Sequence, residues 1–204
     1  MPSINAKMLS TDNWLTKGYA FFQAGNYARA IECCDEAIRV KSDDKDAWLL
    51  KGTSKYSIKE NEGALECFDE IIRIRPEIPD AWYGKGLALS ALRRDSDAVA
   101  SFNEAISLNP NDAIVWFDRG LSLERLKNYE DAIKSFEEAL KLDPKDKSAC
   151  FNLGVVFHRI GNFEMAIKYY DRLLEGDRDA NSPPLVQKKR ALNKMGPLLL
   201  ANQL

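Results

Sequence analysis

The stretch DAIVWFDRGLSLERLKNYEDAIKSFEEALKLDPKD, Asp112 to Asp146, decides the fold. Its first half carries Val115, Trp116, Leu121, Leu123 and Leu126, followed by a polar break at Lys127–Asn128. Its second half places Tyr129, Ala132, Ile133, Phe136, Ala139 and Leu140 at three- and four-residue steps. Such steps line one face of an α-helix. Asp143–Pro144 stops the second helix, because the residue before a proline is driven out of the helical region. The stretch therefore reads as helix, short turn, helix. Gly120 falls inside the first helix, where glycine costs about 1 kcal/mol relative to alanine. A small residue kept at such a place predicts the close approach of a neighbouring helix.

Working outward, the same pattern recurs in both directions. Trp14, Trp48, Trp82 and Trp116 are spaced 34 residues apart and account for every tryptophan of the chain, and the next step lands on Cys150. Gly18, Gly52, Gly86, Gly120 and Gly154 keep that period, as do Ala30, Ala64, Ala98, Ala132 and Ala166. Four positions after each alanine stand Cys34, Phe68, Phe102, Phe136 and Tyr170. Pro76, Pro110 and Pro144 close three of the units. One helical hairpin cannot bury both of its faces, but stacked hairpins share a continuous core.

With these residues in register the chain resembles a tetratricopeptide repeat protein. The resemblance implies an all-α fold, a right-handed superhelical solenoid of helix-turn-helix repeats. The units run 11–44, 45–78, 79–112, 113–146 and 147–180. Residues 1–10 are expected to be a flexible N-terminus, 181–196 a capping helix, and 197–204 an apolar tail. Ser182–Pro183–Pro184 suits the start of that last helix, with Leu185, Ala191, Leu192 and Met195 facing inward and Lys188–Lys189–Arg190 facing water. Gly196–Pro197 is expected to stop it.

The chain departs from the family pattern at identifiable places. The leucine usual before the glycine is replaced by Lys17, Lys51, Lys85 and Arg119, and returns only as Leu153. Long aliphatic stems can cover apolar surface while the charge reaches water. The units holding Asn61 and Asp95 lack the aromatic found at Tyr27, Tyr129 and Phe163, which predicts looser packing at those two corners. Arg178 stands where a closing proline would be.

Composition narrows the function. The chain has 204 residues, 29 Lys and Arg against 31 Asp and Glu, and a formal net charge of -2. That balance supplies no electrostatic footprint for nucleic acid, and no apolar run is long enough to span a bilayer. Cys33, Cys34, Cys67 and Cys150 have neither zinc-site nor redox-motif spacing. They read as reduced, packed thiols of a reducing compartment, hence a cytoplasmic protein. A single histidine, His158, leaves no multi-histidine metal site, and there is no clustered-glycine phosphate loop or nucleophile elbow. The reading is a non-enzyme without a cofactor or metal.

The resemblance also implies where a partner would sit, since the first helix of each hairpin lines the concave face in this family. Projected onto this sequence, the outward places are Leu15, Leu49, Tyr83, Phe117 and Phe151, with Tyr19, Leu87 and Leu121 one turn on, and Tyr56 and His158 beyond. Asp12, Asp46 and Asp80 lie toward the groove's start, and Arg125, His158 and Arg159 at the other end, a charge gradient able to orient a peptide. An apolar and aromatic stripe on a surface marks an interaction site. The same residues also fit a second reading, burial between neighbouring first helices, and the acids fit a simple complement to the helix dipole. The chaperone-type carboxylate clamp is disfavoured, because Leu15, Tyr19, Leu50, Tyr83 and Gly84 stand at its positions. The expected function is an adaptor that binds another protein or a peptide. The alternative is a self-associating module, a homodimer included, whose groove is filled by its own tail or by a second copy.

Overall fold

The computed structural model describes residues 10–174 and 182–201, with side chains described as far as Lys194 in the last helix. The flexible stretch expected for the N-terminus, the end of the fifth unit with Arg178, and the last residues of the tail lie outside the described residues. Eleven helices follow one another among them, with no strand. They are α1 (Thr11–Gln23), α2 (Tyr27–Val40), α3 (Lys45–Ser57), α4 (Asn61–Ile74), α5 (Pro79–Ala91), α6 (Asp95–Leu108), α7 (Ala113–Arg125), α8 (Tyr129–Leu142), α9 (Lys147–Arg159), α10 (Phe163–Leu174) and α11 (Pro183–Ala201). The chain divides into two compact units, Met1–Pro110 and Asn111–Leu204.

The helix limits follow from caps that keep the period. Ser10, Asp44, Asp112 and Asp146 precede the first helices of their hairpins, and each side chain accepts an N–H of the first turn. In the remaining hairpin Ile78 holds that place, and Pro79, whose ring fixes a helical φ, begins the helix instead. Asn26, Asn128 and Asn162 cap second helices in the same way. The hairpins flagged for lacking an aromatic, those of Asn61 and Asp95, start behind Glu60 and Arg94 and have no side-chain cap. Between the two helices of each hairpin one residue turns left-handed: Gly25, Lys59, Arg93, Lys127 and Gly161, with φ of 72°, 65°, 62°, 61° and 83°.

In the first unit α1 to α6 pack as successive neighbours, and α3 also touches α1 and α5. Its core holds Leu15, Cys34, Ala37, Ala47 and Leu50 in one cluster, and Ala64, Phe68, Ile71, Ala81 and Ala88 in another. The periodic glycines explain themselves here. A β-carbon at Gly52 would meet the Phe68 ring at 2.9 Å, and one at Gly86 would meet Phe102 at 2.4 Å. The aromatic of the second helix thus lies flat on a first helix that has been cleared for it.

In the second unit α7 to α10 pack in order and α11 lies on α10, with a smaller contact to α9. Phe136 fills the space over Gly120 and Tyr170 the space over Gly154. Both rings are fully buried. The last helix corrects three expectations. It runs through Gly196–Pro197 to Ala201, so that pair does not stop it. Proline disfavours a helix interior but does not forbid it, and the flanking leucines and alanine are strong helix formers. Its inward stripe is Leu185, Lys188 and Ala191, three residues apart, so Leu192 falls off that face and is 47% exposed. Lys188, expected in water with Lys189 and Arg190, is half-buried and ion-paired to Asp171 of α10.

Candidate functional site

The stripe predicted from the first helices is laid out by the aromatic packing just described. In the first unit Tyr83 of α5 leans on Phe102 of α6, with ring centroids 6.1 Å apart. In the second, Phe117 of α7 leans on Phe136 of α8 at 5.7 Å, and Phe151 of α9 on Tyr170 of α10 at 6.1 Å. All three inner rings are fully buried, and all three outer rings are half-buried. Each outer ring therefore has one side in the core and another on the surface. Aromatic pairs in such tilted arrangements contribute about 0.5–1.5 kcal/mol beyond area burial. Groove and core, the two readings open at the level of sequence, each describe part of every ring.

The other predicted positions separate by burial. Leu15 is core, packed with Cys34 and Leu50, and presents little to a ligand. Leu49 and Tyr56 rest half-buried against the cluster of Phe68 and Ile71. Leu87 and Leu121 are also half-buried, whereas Tyr19 is 42% exposed. Burial first, and the Asp46 carboxylate second, push the Tyr19 phenol above its usual value. Asp12, Asp46 and Asp80 all sit in first turns, where they complement the helix dipole.

At the far end of the second unit Arg125 and Arg159 are exposed and His158 is half-buried. Arg159 pairs with Glu124 of α7 at 3.2 Å, and the His158 ring stands edge-on to Phe163 at 5.4 Å. Burial, then the positive charges of Lys194 and Arg190, hold the imidazole below its usual value. Sequence reasoning did not name Lys194. It set Lys189 and Arg190 in solvent, where both are exposed, but could not place Arg190 near His158, because the fold-back of α11 onto α9 and α10 leaves no periodic trace to read.

The substituted lysines form a structure of their own on the opposite side of the first helices. Lys17, Lys51 and Lys85 stand over the rings of Trp14, Trp48 and Trp82 at 4.9, 5.2 and 5.5 Å, and Arg119 stands over Trp116 at 5.7 Å. Lys51 also reaches Asp35 of the preceding hairpin at 2.6 Å, and Lys85 reaches Asp69 at 2.7 Å. Two of the tryptophans anchor the loop before them: the indole N–H of Trp48 donates to the Ser42 carbonyl and that of Trp82 to the Pro76 carbonyl. Lys51 and Lys85 thus tie ring to acid between hairpins, where a leucine would have packed.

Among the described residues no group of three or more His, Cys, Asp or Glu side chains is placed to hold a metal ion. No described helix is long and apolar enough to cross a membrane. All four cysteines are buried, and burial pushes the Cys34 thiol up to about 12 and that of Cys67 to about 11.

Comparison with known proteins agrees with this geometry. No curated protein sequence matches the chain. Among solved structures, MamA from Desulfovibrio magneticus RS-1 superposes with a TM-score of 0.78 at 20% identity, over 84% of this chain and 97% of that one. PilF of Pseudomonas aeruginosa gives 0.77 at 20% identity, over 91% and 84%. YrrB, described as a TPR protein with an unusual peptide-binding site, gives 0.76 at 21% identity, over 92% and 95%. At these identities the likeness is one of fold. The tetratricopeptide repeat pattern matches residues 15–77 and 117–183, and a second pattern of that description matches 79–112. The chain belongs to the tetratricopeptide repeat family.

Proposed function

We propose that the chain is a scaffold that holds a peptide or helix of another protein against the first helices of its hairpins. The observation that carries this reading is the pair of half-buried outer rings at Phe117 and Phe151 in the second unit, each braced by a buried aromatic, with Tyr83 braced in the same way within the first unit. Rings held by their inner side are rigid, and binding to them costs little conformational entropy. Helix or strand recognition by an apolar groove uses such anchors. The peptide-binding site named for YrrB, a protein of the same fold, supports the reading.

The test is a peptide array screened against the full chain, with the best binder measured by calorimetry. Phe117→Glu should abolish that binding, and Phe117→Leu, which keeps the apolar volume, should retain a measurable part of it. Equal affinity in a folded Phe117→Glu variant would refute the reading. The alternative, self-association, draws support from Leu192, a large apolar side chain exposed on α11. Light scattering on the full chain and on its Leu192→Glu variant separates the two, since only self-association through that face predicts a dimer lost on the substitution.

A further inference from the structure

An open pocket of about 550 Å³ lies in the second unit where α11 meets α9 and α10. Its lining carries His158 and Arg159 from α9, Tyr170 from α10, and Arg190 and Lys194 from α11. Among the described residues no carboxylate lines it. Arg159 is paired with Glu124 of α7, but no described carboxylate pairs with Arg190 or Lys194. Lys194 leans on the Phe163 ring at 5.9 Å.

A second observation is independent of these charges. Tyr170 is fully buried, and its hydroxyl has no hydrogen-bond partner among the described residues. A buried hydroxyl left unpaired costs about 1–3 kcal/mol, and native structures hold few such groups without a reason. Burial pushes the phenol up to about 12, so at neutral pH it keeps its proton and donates. A proton donor in the pocket wall and two cations at the rim, with no opposing acid among the described residues, together describe the surroundings of an anion.

We propose that this pocket is a carboxylate-binding site, in which Tyr170 Oη donates to the carboxylate and Arg190 and Lys194 neutralise it. The carboxylate is that of a peptide, either its C-terminus or an acidic side chain. Val155 lines the same pocket and would take the apolar atoms beside it. Charge-assisted bonds of this kind are about twice as strong as neutral ones. The inference deepens the peptide-scaffold reading by giving the bound segment one charged end, and it shares with that reading only Tyr170, the brace of Phe151. The site differs from a clamp formed by first helices alone, because the cap helix supplies both cations.

The chain reports on the site through its one histidine. His158 faces Lys194 and Arg190 of α11, Phe163 of α10 and, through its neighbour Arg159, Glu124 of α7. An anion placed there offsets the repulsion that lowers the imidazole pKa, so bound ligand raises it, and binding tightens as pH falls through that pKa.

The experiment follows the His158 ring resonances by NMR on the full chain. The probes are N-acetyl-leucine for a terminal carboxylate, N-acetyl-glutamate α-amide for a side-chain carboxylate, N-acetyl-leucine amide as the uncharged control, and inorganic phosphate. A saturable shift with either carboxylate probe, at a Kd in the millimolar range (on the order of -4 kcal/mol), supports the site, and the tighter probe identifies the source. Arg190→Gln with Lys194→Gln should weaken it by at least about tenfold. Tyr170→Phe should weaken it likewise while raising the Tm, a pairing that a purely structural tyrosine would not give. Equal response to the amide control, to phosphate alone, or to sodium chloride at matched ionic strength would overturn the proposal, as would no response at all. The apolar groove is unaffected by that outcome, because its test reads Phe117.

Discussion

A β-carbon at Gly84 would lie 2.4 Å from Cε1 of Phe68, the same ring that covers Gly52 at 2.9 Å. Phe68 is thus clamped between the first helix of its own hairpin and that of the next. Phe68 is only 3% exposed, so it has nowhere to go. Gly84→Ala should therefore destabilise the chain by about 1–3 kcal/mol, the usual cost of overpacking. Chemical denaturation measures it. Adding Phe68→Leu should restore part of the loss, because the clash is with that ring.

The left-handed turn residues give the opposite sign. Lys59, Arg93 and Lys127 carry a β-carbon at φ near 60°, where Gly25 and Gly161 serve the other hairpins. Left-handed backbone costs a side-chain-bearing residue about 1–2 kcal/mol, partly offset by the entropy that glycine loses on folding. Each of Lys59→Gly, Arg93→Gly and Lys127→Gly should raise stability by roughly 0.5–1 kcal/mol, and the three should add, being in separate hairpins. A fall in Tm for all three would refute this account.

The hairpin behind Arg94 has no side-chain cap, while Asn26 and Asn128 cap theirs. Arg94→Asn should add up to about 1 kcal/mol by satisfying a first-turn N–H. The gain is reduced by the lost ion pair with Asp97, which is exposed on both sides and contributes little. Thermal unfolding of Arg94→Asn against Arg94→Ala separates cap from charge.

Lys85 joins Trp82 to Asp69, and both charged groups are partly in solvent. A double-mutant cycle of Lys85→Met and Asp69→Asn should give a coupling below about 1 kcal/mol that shrinks in high salt. Lys85→Met alone should cost little, because its stem still covers the indole.

The buried cysteines yield a chemical prediction. With Cys34 held near 12 and Cys67 near 11, thiolate is scarce at pH 8. Ellman's reagent should react with neither at a measurable rate in the folded chain, and with all four thiols once guanidinium unfolds it. Rapid modification of the native protein would contradict the packing.

His158 gives a pH dependence whose sign follows from its surroundings. Its imidazole is held below the usual value by burial and by Lys194 and Arg190. The folded state therefore binds fewer protons than the unfolded chain near that value. The stability linked to this group is present above the unfolded pKa of about 6.5 and is lost as pH falls through the folded pKa. His158→Gln should remove that part of the slope in denaturation curves taken from pH 7.5 to 5.5.

Period and composition made much of this protein legible. The spacing of Trp, Gly, Ala and Phe marks hairpins because helix contacts at fixed steps need large and small residues at fixed steps, and Gly52 under Phe68 is that rule in one pair. The breaks at Asp143–Pro144 and Lys127–Asn128 follow from backbone chemistry local to a few residues. The candidate stripe was only half legible. Sequence put Leu15 and Phe117 in one class, yet Leu15 is core and Phe117 is half-buried, since burial depends on which neighbour covers a face.

The sequence by itself determined the hairpins, their limits and their family, because local helical periodicity and repeat spacing are written in single residues and their intervals. Only the tertiary structure decided which side of each outer ring is wet. It alone ran α11 on past Gly196–Pro197, turned Lys188 inward to Asp171, and brought Arg190 and Lys194 beside His158 and Tyr170. Those outcomes depend on how helices distant in sequence lie against one another, and packing energy, shared over many contacts, leaves no motif at any one position.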